Sequence, residues 1–140
     1  MQATKLVTIA FATLLAGCTP ELERYPIAGS VTLDGRPIRE CVLVFRSSDP
    51  QKPSQVSTVA VERGRFQIPK SAGLLAGKYD VIVNELQPDA DSYETQRLAG
   101  IKNPIKPSSI PSRYATGKAL QISVDQHSHS IQLSLQSRPR

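Results

Sequence analysis

Ile27-Ala28-Gly29-Ser30-Val31-Thr32-Leu33-Asp34-Gly35 is the stretch that decides the fold class. Ile27, Gly29, Val31 and Leu33 share one face of an extended chain. Ala28, Ser30 and Thr32 share the other, which is the two-residue period of a half-buried strand. Asp34-Gly35 marks a tight turn, because glycine accepts the positive φ that such turns require. Outward from there the alternation repeats. Cys41, Leu43 and Phe45 form the next inward set, and Val42 and Val44 make that strand apolar on both faces. It is therefore expected to be central or covered. Val59 and Val61 continue the pattern, and Phe66 and Ile68 follow the turn Glu62-Arg63-Gly64. Tyr79, Val81 and Val83 come next, then Leu120, Ile122 and Val124, then Ile131, Leu133 and Leu135. Asp125 to Ser130 reads as a hairpin loop joining the last two.

About seven short strands with frequent turn signals predict an all-β chain, a single antiparallel β-sandwich with little or no helix. Composition agrees. The chain has 140 residues, enough for one domain, and 11 prolines scattered from Pro20 to Pro139 exclude a long helix or coiled coil. Its 2 cysteines cannot build a disulfide scaffold. The folded domain is expected over 27–136, with a short tail at 137–140. Ser71 to Gly77 has room for one turn of helix. The segment 86–111 breaks the pattern: it carries Pro88, Pro104, Pro107 and Pro111 and little alternation. It is expected as a long loop, a usual place for function. Its charges are polarised, with Glu85, Asp89, Asp91 and Glu94 preceding Arg97, Lys102, Lys106, Arg113 and Lys118.

The first residues read as an address. Lys5 precedes a run, Leu6 to Ala16, that is almost wholly apolar and too short to span a bilayer, which needs ~20 residues. The run ends Leu15-Ala16-Gly17-Cys18. That ending resembles the lipobox of bacterial lipoproteins. The resemblance implies signal-peptidase recognition of Leu15, Ala16 and Gly17, cleavage before Cys18, and a diacylglyceryl group on the Cys18 thiol. Residues 1–17 are then a signal peptide, and 18–26 the lipidated cysteine and spacer. The 8 spacer residues Thr19 to Pro26 reach at most roughly 28 Å, which keeps the domain near the membrane. Thr19 stands where Asp tends to retain Gram-negative lipoproteins at the inner membrane. The implied location is the cell envelope, on the outer membrane facing the periplasm or the cell surface. Cys41 is left without a partner and is expected as a buried thiol.

Further phrases resemble carboxypeptidase regulatory-like domains, which are transthyretin-like β-sandwiches. They are Val31-Thr32-Leu33-Asp34-Gly35-Arg36-Pro37-Ile38, Cys41 to Phe45, Gly64-Arg65-Phe66, and Gly77-Lys78-Tyr79-Asp80-Val81-Ile82-Val83. Ile110-Pro111-Ser112-Arg113-Tyr114 is similar to a stretch in small secreted lipoproteins of planctomycete-type bacteria. Glu40 stands where that family often has Gly, and Arg63 where it often has Asp or Asn. Such domains are accessory modules, so the resemblance implies a fold and a location without an activity.

Candidate chemistry is sparse. His127 and His129 could share a face toward a metal, but no motif completes the ligand set, and a solvated turn is the simpler reading. Asp125, His127 and Ser128 sit in one turn, whereas a nucleophilic triad draws its members from separate elements. Asp89, Asp91 and Glu94 lack the Gly and distant Glu of a calcium loop. Arg97, Lys102, Lys106 and Arg113 could form an interaction loop for anionic head groups or envelope polymers. Nucleic acid is a poor fit, because no aromatic residues interleave with the charges. The expected protein is an exported, lipid-anchored, non-catalytic module without a cofactor. It would meet the membrane through Cys18 and an envelope protein or polymer as partner. The alternative is a small-ligand or glycan-binding module, for which Tyr93 and Tyr114 would have to present an exposed aromatic pair. A hydrolase of the transthyretin-related kind ranks third, since it would need further His and Arg residues and a different C-terminus.

Overall fold

The computed structural model describes residues 21–105 and 107–138. These residues form ten strands: β1 (Arg24–Tyr25), β2 (Ile27–Leu33), β3 (Arg36–Pro37), β4 (Glu40–Ser47), β5 (Val56–Glu62), β6 (Arg65–Ile68), β7 (Leu74–Leu75), β8 (Gly77–Glu85), β9 (Gln121–Val124) and β10 (Ser130–Leu135). Among the described residues, one helix, α1 (Ala90–Leu98), and two short 3-10 turns complete the elements. The fold is all-β and mainly antiparallel. Seven strands form one hydrogen-bonded path in the order β10-β2-β6-β5-β4-β8-β9. They are the seven that alternation predicts. β1, β3 and β7 are two-residue additions, with β1 pairing β7 and β3 pairing β2.

Two features of the topology differ from expectation. β10 runs parallel to β2, with Leu133 opposite Val31. And β9 and β10 are the two edges of the path, so residues 125–129 form a crossing connection and no hairpin. This connection forces the sheet to curl. Laid flat, seven strands at about 4.8 Å spacing would separate β9 from β10 by roughly 29 Å. The six peptide steps from Val124 to Ser130 reach at most roughly 22 Å. The curl occurs where β5 meets β6, a junction held by one residue pair, Glu62 opposite Arg65. Phe45 on β4 and Phe66 on β6 then meet across the interior with ring centroids 5.9 Å apart.

The inward faces supply one core. Val31, Leu43, Phe45, Val81 and Leu74 are completely buried, and Ile27, Cys41, Val61, Val83 and Leu135 nearly so. β4 lies between β5 and β8, as its two apolar faces predict. Its outer residues Val42 and Val44 are half-buried. Beside them, on β8, Ile82 is covered by the chain at Gly117, where a Cβ would come within 2.9 Å of Ile82 Cγ1. Both two-residue turns have positive φ at each central residue: Asp34 and Gly35, then Arg63 and Gly64. That is the twist-compatible hairpin geometry. All turns of this kind lie at one end of the sheet. β1, β7 and the 125–129 connection lie at the other.

Candidate interaction surface

Leu15, Ala16, Gly17 and Cys18 lie outside the described residues, as does Lys106. What the structure adds is the start of the fold. Arg24 and Tyr25 already pair with Leu75 and Leu74, and the Arg24 guanidinium donates to Gly73 C=O at 3.1 Å. The spacer expected over 18–26 is therefore shorter. Six peptide steps join Cys18 to Arg24, a reach of at most roughly 22 Å.

The expected loop 86–111 is an excursion with a helix inside it. Glu85 closes its base, its carboxylate accepting from the Ser109 N–H at 2.9 Å and the Ser109 hydroxyl at 3.3 Å. α1 forms for local reasons. Asp89 caps it by accepting from the Ser92 N–H at 2.7 Å, Asp91 lies in the first turn and Arg97 in the last. These charges complement the helix dipole. Glu94 pairs with Arg97 at 3.4 Å, one turn apart. The three acids that faintly resembled a calcium loop are thus the N-cap and first turns of a helix. Hydrogen bonds from Ser92 hold the Asp89 carboxyl below its ordinary pKa. Gly100 ends the helix at φ 88, and no residue of α1 is buried.

The excursion exposes apolar surface. Of six exposed large hydrophobic residues among those described, four belong to it: Leu86, Leu98, Ile101 and Ile105. Leu98 is 78% exposed. Pro104 is buried in the crook near Pro88 and Gln96. Arg97 and Lys102 are exposed along the same segment. Arg113 is not part of this surface. Its guanidinium stacks 4.7 Å from the Tyr114 ring centroid and donates to Gln136 C=O. The Tyr114 hydroxyl accepts the Gln136 N–H at 2.9 Å. Ile110 and Tyr114 are buried, so Ile110-Pro111-Ser112-Arg113-Tyr114 plugs the core and clamps the end of β10.

The other sequence candidates resolve individually. His127 and His129 are exposed in the crossing connection. Asp125 organises it, accepting from the His127 N–H at 2.8 Å and the Ser128 hydroxyl at 2.9 Å. Those bonds lower its pKa. No group of three His, Cys, Asp or Glu suited to a metal exists among the described residues. Cys41 is a free thiol, 1% exposed. Burial, with the Glu85 charge opposite, pushes its pKa up to about 11, so it stays protonated and unreactive near neutrality. Tyr114 is buried, so Tyr93 and Tyr114 form no exposed stacking pair, and the glycan platform falls away.

Sequence reasoning missed a second cluster. Arg39, Arg63 and Arg65 line one open groove at the turn-rich end of the sheet together with Glu40 and Glu62, Arg36 lines the adjoining groove with Arg39, Asp34, Glu40 and Glu85, and Arg63 N–H donates to Arg39 C=O at 2.7 Å. The available signal was Arg63 itself, a non-glycine side chain at a position that takes φ 52. No family model, curated protein or solved structure matches this chain.

Proposed function

We propose that the chain is an exported, lipid-anchored, non-catalytic β-domain that holds a partner in the cell envelope through the excursion 86–109. The observation that carries the reading is the concentration of exposed Leu86, Leu98, Ile101 and Ile105 on a segment that contributes little to the core. Isolated exposed apolar residues need no explanation, whereas a cluster on a projecting element suits a contact surface. Arg97 and Lys102 beside them favour a partner with acidic groups around an apolar centre.

Leu15-Ala16-Gly17-Cys18 supplies the location. Burial of each lipid CH₂ contributes roughly 0.8 kcal/mol, so two or three acyl chains on Cys18 give lasting attachment where one would not. The test is crosslinking in whole cells. The native chain should capture a reproducible partner, and a variant with residues 87–108 replaced by a short Gly-Ser link should lose it. Equal capture by the shortened variant, verified as folded, would remove the excursion from the reading. Cys18→Ser should move the protein out of the membrane fraction; unchanged fractionation would remove the anchor.

A further inference from the structure

We infer that the chain pairs with a second copy of itself along the free edge of β5, as an antiparallel, twofold dimer. The β4–β5 ladder decides which backbone groups are free. Ser47 N–H donates to Gln55 C=O at 2.8 Å, and Arg63 N–H to Arg39 C=O at 2.7 Å. Hydrogen-bonded pairs alternate along an antiparallel ladder, so Ser57, Val59 and Val61 also turn their backbone groups to β4. Val56, Thr58 and Ala60 turn theirs the other way. β6 does not meet them, because it pairs with β5 only through Glu62 and Arg65 and then runs beside β2. Among the described residues nothing else bonds to those N–H and C=O groups. All three side chains are exposed, Val56 by 61%.

The stretch Val56-Ser57-Thr58-Val59-Ala60-Val61 carries no charge and no proline. Charges, prolines and covering groups are the usual guards of a sheet edge, and an unguarded edge is a template for another strand. The two ends of the sheet path do carry guards. Just past β10, Arg113 donates to Gln136 C=O and the Tyr114 hydroxyl accepts the Gln136 N–H. On β9 the Ser128 hydroxyl donates to Ser123 C=O at 3.3 Å. β5 has no such block.

The register selects a second copy as the occupant, because the edge is complementary to itself. A twofold axis at Thr58 sets Thr58 opposite Thr58 of the second copy, and Val56 opposite its Ala60. Every free N–H and C=O of Val56, Thr58 and Ala60 then falls in a hydrogen-bonded pair, and none is left over. Val59, half-buried in each chain, lies opposite Ser57 of the second copy and gains cover. Glu62 falls opposite Ser54, so no like charges stand directly across the axis. The valines and threonine suit cross-strand packing. Both copies spend the same edge, so assembly closes at two.

The test combines sedimentation and disulfide trapping on the full chain purified in detergent. The native chain should sediment as a dimer whose share rises with concentration. Thr58→Lys sets two like charges on the axis and should leave a monomer, with its fold verified by circular dichroism. Thr58→Cys places two thiols on Cα atoms about 5.5 Å apart, inside the usual disulfide range of roughly 4.4–6.8 Å. Val56→Cys is also exposed but lies roughly 14 Å from its own counterpart. Copper-phenanthroline oxidation in air should trap a dimer with Thr58→Cys, and with Val56→Cys mixed with Ala60→Cys. Val56→Cys alone should give no more dimer than the native chain, which carries the same Cys18 and Cys41. A native chain that is monomeric at every concentration, Thr58→Lys dimerising like the native chain, or equal trapping at Thr58→Cys and Val56→Cys would overturn the proposal.

Discussion

Gly29→Ala tests the packing that closes the curled sheet. Gly29 lies on β2 with Phe66 as its neighbour on β6 and Ile131 as its neighbour on β10. An added Cβ would lie 2.6 Å from Phe66 Cζ and 2.7 Å from Phe66 Cε1, and would also collide with the Ile131 carbonyl oxygen. Ordinary carbon contacts are about 3.5–4.0 Å, so the ring must retreat by roughly 1 Å. It has little room, because Phe45 stands behind it at 5.9 Å between centroids. The carbonyl cannot move without loosening the parallel ladder. Overpacking of this kind costs about 1–3 kcal/mol. Alanine returns about 0.4–1 kcal/mol through a less flexible unfolded chain. The net loss is about 1–2 kcal/mol, or roughly 4–10 °C in Tm for a domain of this size. Thermal unfolding followed by circular dichroism measures it. Phe66→Leu in the same chain should make the double variant less damaged than the two single losses combined, since the ring is one of the two obstacles. A neutral or stabilising Gly29→Ala, or strictly additive losses, would refute the packing.

Two further outcomes follow from the polar and titratable groups. Tyr114→Phe removes the acceptor for Gln136 N–H and should cost about 1 kcal/mol in chemical denaturation, with faster amide exchange confined to the end of β10. The buried Cys41 thiol has its pKa raised from the ordinary value of 9.0 to about 11. Both states keep the proton below about pH 9, so its contribution is fully present there. It is lost as pH climbs toward 11, where only the unfolded thiol ionises readily. The native chain should therefore lose stability over that interval more steeply than Cys41→Ala; identical slopes would show that Cys41 is not the group involved.

The strands were legible because each buries one face, and burial writes a two-residue period into the side chains. The inward residues of β2, β4 and β8 could be named directly. Strand neighbours were less legible. Nothing local distinguishes Asp125 to Ser130 as a crossing connection from a hairpin, since both need a short polar turn; the decision rests on long-range pairing of β10 with β2. α1 escaped notice because it buries nothing and so carries no apolar period. Its signs were Asp89 as cap, acids first, Arg97 and Gly100 last, a polarity visible as charge and not recognised as a helix dipole. Arg113 was read as a free cation because sequence does not show that Gln136 and Tyr114 meet it. The arginine cluster was invisible for the same reason, as its members are separated in sequence and joined only when two turns interlock.

The proposed attachment of this β-domain to a membrane rests on Cys18. Intact mass spectrometry of the membrane-fraction protein tests it most directly. The expected mature chain begins at Cys18, with residues 1–17 removed, and carries the added mass of a diacylglyceryl group with or without an N-acyl chain. A mature chain that starts elsewhere, or one that starts at Cys18 with an unmodified thiol, would contradict it.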